Sequence, residues 1–235
     1  MTQPRRAGGI AIAAIALGLG LAGCGSDTTT ASTTTSAETT TSSEAAETTT
    51  SEAPATTPEA SGASYTIADY IRDNGIAESA VHRGDPGTPT LDLPVPPGWR
   101  DAGAGTPAIA WGAIILDDPA AATDPPTVVA IMSRLTGDVD PAKIIEYAPG
   151  EIQNLPGYGH ESDGKTTTLS GFDAYQIGGT YQRDGATRMI AQKTVVIPGQ
   201  DGLYVLQLNA EGPESQLGPL MDATAAIDEQ TTITP

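Results

Sequence analysis

Histidine is the side chain best suited to general acid–base chemistry near neutral pH, and this chain has two, His82 and His160. A histidine-based catalytic site also needs a nucleophile and an orienting carboxylate beside the ring. The sequence around these two residues indicates neither, and we expect both to be solvated in loops. The Gly-x-Ser-x-Gly elbow of α/β-hydrolases is absent. We also find no support for nucleotide binding.

Acidic residues occur close together at Asp117 and Asp118 and again at Asp138 and Asp140. Neighbouring carboxylates can contribute to a Ca²⁺ site, but an all-protein site takes about six to eight oxygens from a dedicated loop. Asp residues also cap helices and stabilise turns, and we assign these four to such roles. We therefore predict no metal ion, no cofactor and no catalytic residue.

Aromatic side chains are the remaining candidates for ligand contact. Trp and Tyr present an apolar face with a polar edge, which suits sugars and glycolipids as well as a protein core. The candidates for contact with a ligand or partner are Trp99, Trp111, Tyr147, Tyr158 and Tyr175. Ordinary packing in the core or at the surface is the competing interpretation for each of them.

The N-terminal residues have the order of a secretory signal. Arg5 and Arg6 are followed by an apolar run from Ile10 to Leu21 and then by small residues. The run is shorter than the roughly 20 residues that a membrane-spanning helix needs. We therefore predict a signal peptide over residues 1–23.

The single Cys of the chain, Cys24, ends the sequence Leu21-Ala22-Gly23-Cys24. This sequence matches the lipobox of bacterial lipoproteins, in which the Cys is lipidated and becomes the new N-terminus. We predict cleavage between Gly23 and Cys24, and a lipid anchor on Cys24. The anchor of such lipoproteins carries two or three acyl chains, and two or more chains give stable anchoring. The protein is therefore expected on the outer face of the plasma membrane.

Residues 24–63 are predicted to be a disordered tether. From Gly25 to Ala63 there are 14 Thr, seven Ser and six acidic residues, with no Lys, Arg, aromatic residue, Ile, Leu or Val. Such a segment cannot bury enough apolar area to offset the entropy of ordering. Thr residues near Pro54 and Pro58 are also plausible O-glycosylation acceptors.

The charge of the chain bears on its partners. It contains 29 Asp and Glu against 11 Lys and Arg, for a formal net charge of −18. Nucleic-acid binding needs a basic face to neutralise phosphates. We therefore predict no nucleic-acid partner.

Residues 64–235 hold every aromatic residue of the chain and have the size of one ordinary domain. Three helices are predicted there. The first begins at a capping box, Thr66 to Asp69, the second begins at Asp140-Pro141, and the third lies near Ser215 to Glu229. The predicted apolar face of the third helix consists of Leu217, Leu220, Met221, Thr224 and Ile227.

Short runs rich in apolar and β-branched residues predict seven strands in this domain. They are Thr90–Leu93, Ala108–Leu116, Thr127–Leu135, Thr166–Ser170, Ala174–Gln182, Thr187–Ile197 and Leu203–Asn209. Asp184-Gly185 predicts a hairpin turn between two of them. Because the later connections are too short for parallel crossovers, we predict an α+β domain with an antiparallel meander.

The domain resembles the LpqN/LpqT family of mycobacterial and related actinobacterial lipoproteins over essentially all of Tyr65 to Pro235. The segments that carry the resemblance are Thr66–Ile71, Leu93–Trp99, Leu135–Lys143, Ala191–Pro198 and Ile227–Pro235. The resemblance implies a Mog1/PsbP-like fold, an antiparallel sheet with helices on its faces. It supplies no catalytic residues.

The same resemblance implies an exported, non-enzymatic accessory protein that helps to handle trehalose-mycolate lipids beside RND-type lipid transporters. The expected partners are then the membrane, through Cys24, and such a transporter or an envelope glycolipid. Two alternatives stay open from the residues alone. One is an envelope hydrolase with an unrecognised active site, and the other is an antigenic or host-interacting lipoprotein.

Overall fold

The computed structural model describes residues 63–160 and 163–235. The predicted signal peptide, the lipidation of Cys24 and the tether up to residue 62 lie outside these residues. Among the described residues, no helix is both long and apolar enough to cross a membrane.

Antiparallel pairing builds a main sheet of eight strands. Its order is β3-β4-β5-β9-β8-β7-β6, and β1 pairs with the end of β5 that β4 leaves free. These strands are β1 (Ala77–Val81), β3 (Trp99–Asp101), β4 (Gly112–Leu116), β5 (Thr127–Thr136), β6 (Lys165–Leu169), β7 (Phe172–Arg183), β8 (Ala186–Pro198) and β9 (Leu203–Pro213). A separate ribbon pairs β2 (Thr90–Asp92) with β10 (Thr232–Thr234).

Short turns join the strands of the second half, and the predicted Asp184-Gly185 turn is among them. Asp184 and Gly185 join β7 to β8 with φ of 54° and 78°, the left-handed conformation that a two-residue hairpin turn requires. The turn from β8 to β9 is closed by Gly199, whose N–H donates to the carbonyl oxygen of Gly202 at 3.0 Å. The predicted antiparallel meander and the α+β class are confirmed.

Helices cover both faces of the sheet. They are α1 (Ile67–Asp73), α2 (Pro141–Tyr147), α3 (Gly150–Gln153) and α4 (Leu217–Gln230). On the first face, α4 buries Leu220, Ala223 and Ile227 in a core that includes Val195 and Leu206. Burial of these apolar side chains against the strands is the main favourable contribution to the stability of this layer.

The opposite face is covered by the three shorter helices. Ile67 of α1 and Ile144 of α2 pack with Val196 and Val205 in one cluster. Ile152 of α3 packs with three residues of β7 and β8 in another. Because successive strand residues point to opposite faces, neighbours such as Val195 and Val196 serve different cores.

The predicted helix starts are confirmed. The Thr66 hydroxyl accepts from the Asp69 N–H at 3.1 Å, and the Thr66 N–H donates to the Asp69 carboxylate at 3.0 Å, which is a reciprocal capping box. Asp140 accepts from the Ala142 N–H at 2.9 Å, ahead of Pro141 at the first position of α2. These side chains satisfy N–H groups that have no partner inside the helix.

The predicted apolar face of α4 was partly wrong. Met221 and Leu217 are 61% and 40% exposed, whereas the buried positions are Leu220, Ala223 and Ile227. The small side chain of Ala223, which is fully buried, faces the sheet. The helix therefore packs on the sheet through a stripe of residues centred on Ala223. This orientation of the helix leaves Met221 exposed to solvent.

The strand predicted over Ala108–Leu116 was wrong in its first four residues. A turn forms there because the Ala110 N–H donates to the carbonyl oxygen of Pro107 at 2.9 Å, and β4 begins at Gly112. The elements that the sequence did not predict are short: β1, β3, α3 and β10. β1 is mostly exposed, so its sequence lacks the alternation that identifies a half-buried strand.

Candidate functional site

A cavity of about 300 Å³ opens on the first face of the sheet, between the strands, the C-terminal part of α4 and the β2–β10 ribbon. Its apolar lining includes Leu91, Trp111, Ile114, Val128, Leu208 and Ile227. Its polar lining includes Arg83, Asp85, Thr88, Asp92 and Asp101. This volume falls at the lower end of small-molecule sites, which are mostly apolar with a few placed polar groups.

Arg83 and Trp111 form one wall of this cavity. The guanidinium carbon of Arg83 lies 4.5 Å from the centre of the Trp111 ring, a cation–π contact. Arg83 also lies 3.6 Å from the Asp101 carboxylate. Gly112 makes room for this arrangement, because a Cβ there would lie 2.8 Å from Arg83 Nη2.

The loop that carries Arg83 is held by local hydrogen bonds. The His82 N–H donates to the Asp85 carboxylate at 2.8 Å, and the Thr88 hydroxyl donates to the Asp85 carbonyl oxygen at 2.8 Å. At the far end of the loop, the Tyr204 hydroxyl lies 3.2 Å from the carbonyl oxygen of Gly87 and 3.1 Å from the Asp201 carboxylate, and its one proton is shared between these two acceptors. The polar side of the cavity is thus tied to the sheet through Tyr204, whose pKa is raised by burial and by its hydrogen bond to Asp201.

The structure places the five predicted aromatic contacts in different environments. Both tryptophans are buried in the core of the first face, but Trp111 also lines the cavity and Trp99 does not. The other three lie on the opposite face, with Tyr147 packed against Tyr65 and Tyr70 at centroid distances of 4.7 and 5.7 Å. Contact with a ligand or partner stays a prediction for all five, and only Trp111 lines the cavity.

Tyr158 and Tyr175 lie beside α3 on that opposite face. The Tyr158 hydroxyl donates to the Gly178 carbonyl oxygen at 3.1 Å, and its ring stacks on His160 at 5.3 Å. The Tyr175 hydroxyl donates to the carbonyl oxygen of Asp163 at 2.5 Å. Burial raises the pKa of both phenols, so both are hydrogen-bond donors at neutral pH.

The two histidines make local contacts. His82 Nδ1 lies 3.6 Å from Asp85 and His160 Nδ1 lies 3.8 Å from Asp163. His82 Nε2 lies 3.2 Å from the Ala108 carbonyl oxygen. Within residues 63–160 and 163–235, neither ring hydrogen-bonds to a Ser or Thr hydroxyl.

The acidic residues that lie close together in the sequence either cap a helix or form an ion pair with Arg, where they make a contact. Asp117 lies 3.3 Å from Arg100, and Asp118 accepts from the Ala120 N–H at 2.8 Å. Asp140 caps α2, as described above. In the part of the chain that the structure describes, no group of three or more His, Cys, Asp or Glu side chains is arranged to hold a metal ion.

The chain contains one sequence pattern that is typical of phosphate-binding loops. Residues Gly159 to Thr166 match the pattern Gly-x-x-x-x-Gly-Lys-Thr, which cradles phosphates where it joins a strand to the N-terminus of a helix. Here Gly159 bridges to Thr180 of β7, and Lys165 and Thr166 begin β6. Because a strand follows the motif instead of a helix, the match lacks the structural context of a phosphate-binding loop.

The sequence did not predict an ion-pair network that lies on the opposite face of the sheet. Arg188 of β8, whose side chain is 9% exposed, contacts Asp124 at 2.5 Å and Glu211 at 2.6 Å. Arg183 reaches the same Glu211 oxygen at 2.6 Å. Hydrogen bonding to Arg188 lowers the pKa of Asp124, while burial and Glu211 raise the pKa of Tyr181 to about 12. The network links β7, β8 and β9 to the loop before β5.

The residues that form this domain match a known family of lipoproteins. The family model described as "Probable lipoprotein LpqN" matches residues 63–234. The lipoprotein LpqN of Mycobacterium tuberculosis is 56% identical over 177 residues, which are 75% of this chain and 77% of that protein. The putative lipoprotein LpqT of Mycobacterium leprae is 26% identical over 132 residues, 56% of this chain and 57% of its own.

A solved structure supports the same relationship. The crystal structure of M. tuberculosis LpqN, described as involved in cell envelope biogenesis, aligns over 74% of this chain and 100% of its own with a TM-score of 0.71 and 56% identity. The solution structure of PsbP from Synechocystis aligns with a TM-score of 0.41 at 9% identity, over 67% of this chain and 92% of its own. We assign the fold from the LpqN structure and not from this distant alignment. The chain is therefore a member of the LpqN lipoprotein family.

Proposed function

We propose that this protein is an exported, lipid-anchored and non-enzymatic binding module that serves cell-envelope biogenesis by holding an amphiphilic glycolipid. The observation that carries the proposal is the cavity of about 300 Å³ with an apolar floor and an acidic rim. The floor formed by Val128, Leu208 and Ile227 can accommodate a segment of an acyl chain, since burial of apolar surface is favourable.

The rim suits the polar head of such a ligand. Asp85, Asp92 and Asp101 line it together with Arg83, and carboxylates accept hydrogen bonds from sugar hydroxyls. Trp111 offers an aromatic face next to them. A neutral, hydroxyl-rich head group such as trehalose fits this rim better than an anionic one, because three carboxylates outnumber the single guanidinium.

The family relationship and the N-terminal sequence support the cellular part of the proposal. M. tuberculosis LpqN is described as involved in cell envelope biogenesis, and the relatives compared above are named as lipoproteins. The lipobox at Cys24 would anchor the chain to the outer face of the plasma membrane. A tether of about 39 residues reaches at most roughly 130 Å, so the domain would meet an RND-type lipid transporter in that membrane and exchange trehalose-mycolate lipids with it.

Binding of trehalose monomycolate tests this proposal. We would measure it by isothermal titration calorimetry on the full chain carrying Cys24→Ala, which removes the lipid anchor. Trp111→Ala is expected to weaken binding at least tenfold, because it removes one wall of the cavity. Met221→Ala, which changes an exposed apolar residue of α4, is the matched control and should leave binding unchanged. Absence of binding by the parent chain, or equal binding by Trp111→Ala, would contradict the proposal.

A further inference from the structure

A second, smaller chamber of about 40 Å³ lies next to the cavity. Val128, Leu208 and Ile227 line both spaces, so the two spaces adjoin at these three side chains. The chamber has room for about one small polar group, since a water molecule occupies roughly 30 Å³ in the liquid. Its other lining residues include Gln176, Lys193, Thr224 and Asp228.

Lys193 is the distinctive group of this chamber. Its side chain is 7% exposed in the middle of β8, and its ammonium pairs with the carboxylate of Asp228 on α4, whose side chain is 38% exposed. An ammonium has three N–H donors, and within the described residues its hydrogen bond goes to Asp228. Its remaining N–H groups can donate to an acceptor placed in the chamber, which Lys193 lines.

We propose that Lys193 and Asp228 bind a hydroxyl group on the aliphatic chain of the ligand. The inference rests on the proposed function, in which the chain lies on Val128, Leu208 and Ile227. A hydroxyl accepts a hydrogen bond from the ammonium and donates one to the carboxylate, so it satisfies both partners. A carboxylate would be repelled by Asp228, and a methylene group would give the Lys193 ammonium no acceptor beyond Asp228.

Two uncharged esters that differ by one hydroxyl group test this inference. We would titrate methyl 3-hydroxytetradecanoate and methyl tetradecanoate into the full chain carrying Cys24→Ala. The hydroxy ester is expected to bind about tenfold more tightly. Lys193→Met, which keeps the length of the side chain, is expected to abolish this preference without weakening the plain ester. Met221→Ala on the same helix should retain the preference.

A charged probe tests the role of Asp228 separately and does not depend on how well Lys193→Met folds. Tetradecanoate should bind the parent chain no more tightly than its methyl ester. In Asp228→Ala, where the ammonium lacks its counter-charge, tetradecanoate should bind about tenfold more tightly than the ester. Failure of this reversal would overturn the inference.

The outcomes separate this inference from the proposed function. Equal binding of the two esters by the parent chain, or an unchanged preference in Lys193→Met, would overturn the hydroxyl site while leaving the cavity as a lipid site. If neither ester bound and trehalose monomycolate did not bind either, the proposed function would fail and the hydroxyl site with it.

Discussion

The guanidinium of Arg83 lies over the ring of Trp111, with 4.5 Å between the guanidinium carbon and the ring centre. The two residues come from different parts of the local structure, Arg83 from the loop after β1 and Trp111 from the residue before β4. Their contact joins a surface loop to the first strand of the neighbouring β4–β5 pair. The polar rim and the apolar floor of the cavity meet at this contact.

Replacement of Arg83 by Ala is expected to weaken glycolipid binding about threefold to tenfold, because it removes a rim donor and its cation–π contact. The side chain is 59% exposed, so the free energy of unfolding should change little. Arg100→Ala is the control, since Arg100 is 54% exposed, pairs with Asp117 and does not line the cavity. Calorimetric titration of both variants with trehalose monomycolate checks the prediction, which an equal effect of the two changes would refute.

Gly150 at the start of α3 should not tolerate a side chain. A Cβ there would lie 2.2 Å from the carbonyl oxygen of Tyr65, so Gly150→Ala must displace backbone and is expected to cost about 2 kcal/mol. Gly105, in the loop between β3 and β4, has nothing within 4 Å of such a Cβ and is not among the glycines with positive φ. Gly105→Ala should therefore be neutral or stabilising by up to about 1 kcal/mol. Urea unfolding of the two variants should give changes that differ in this order, and equal changes would contradict the packing described for α3.

The free energy of unfolding is expected to depend on pH through Glu78 of β1. Burial, with a smaller contribution from the charge of Glu151, raises the pKa of Glu78 above its ordinary value of 4.5. The folded state then holds this proton at pH values where the unfolded state has lost it. The free energy of unfolding should therefore fall as the pH rises from 4.5 through the raised pKa.

Glu78→Gln should remove this fall and be more stable than the parent chain at neutral pH. Other carboxyl groups, such as those of Asp69 and Asp124, have lowered pKa values. The free energy of unfolding therefore decreases as these groups become protonated at low pH. The difference between the two chains, measured by urea unfolding from pH 4 to pH 8, isolates Glu78. If the difference did not grow across this range, the burial of the Glu78 carboxyl would be contradicted.

Arg188 is expected to contribute more to stability than an exposed arginine. Arg188→Ala leaves Asp124 without its partner and Glu211 with only Arg183. Since Asp124 is half exposed, the expected loss is about 2 kcal/mol, between the values for exposed and buried ion pairs. Arg72, which is 66% exposed and pairs with Asp69 and Asp73, is the control and should matter less. Thermal unfolding in low salt measures both, and an equal effect would argue against the network.

Much of the fold was predictable because local chemistry determines it. The capping box at Thr66, the Asp140-Pro141 helix start and the Asp184-Gly185 turn depend on residues within a few positions of each other, and all three are confirmed. The face of α4 was less predictable, because Met221 and Leu220 are both apolar. The strands that α4 packs against determine which of the two is buried.

The cavity could not be predicted, because its walls come from distant parts of the chain. Arg83, Trp111 and Ile227 meet only once the sheet has formed and α4 has packed on it. Among the five aromatic candidates, nothing local distinguished Trp111 from Trp99. Lys193 did carry a signal, since it directly precedes the buried run Thr194–Ile197 of β8. A charged residue there indicates either an edge or a buried partner.

A crystal structure of the Cys24→Ala chain soaked with trehalose monomycolate would show whether the cavity holds the glycolipid. We expect electron density for an acyl segment along Val128 and Leu208, with the sugar against Trp111 and the acidic rim. A cavity that stays empty while the ligand binds elsewhere on the protein would contradict this expectation.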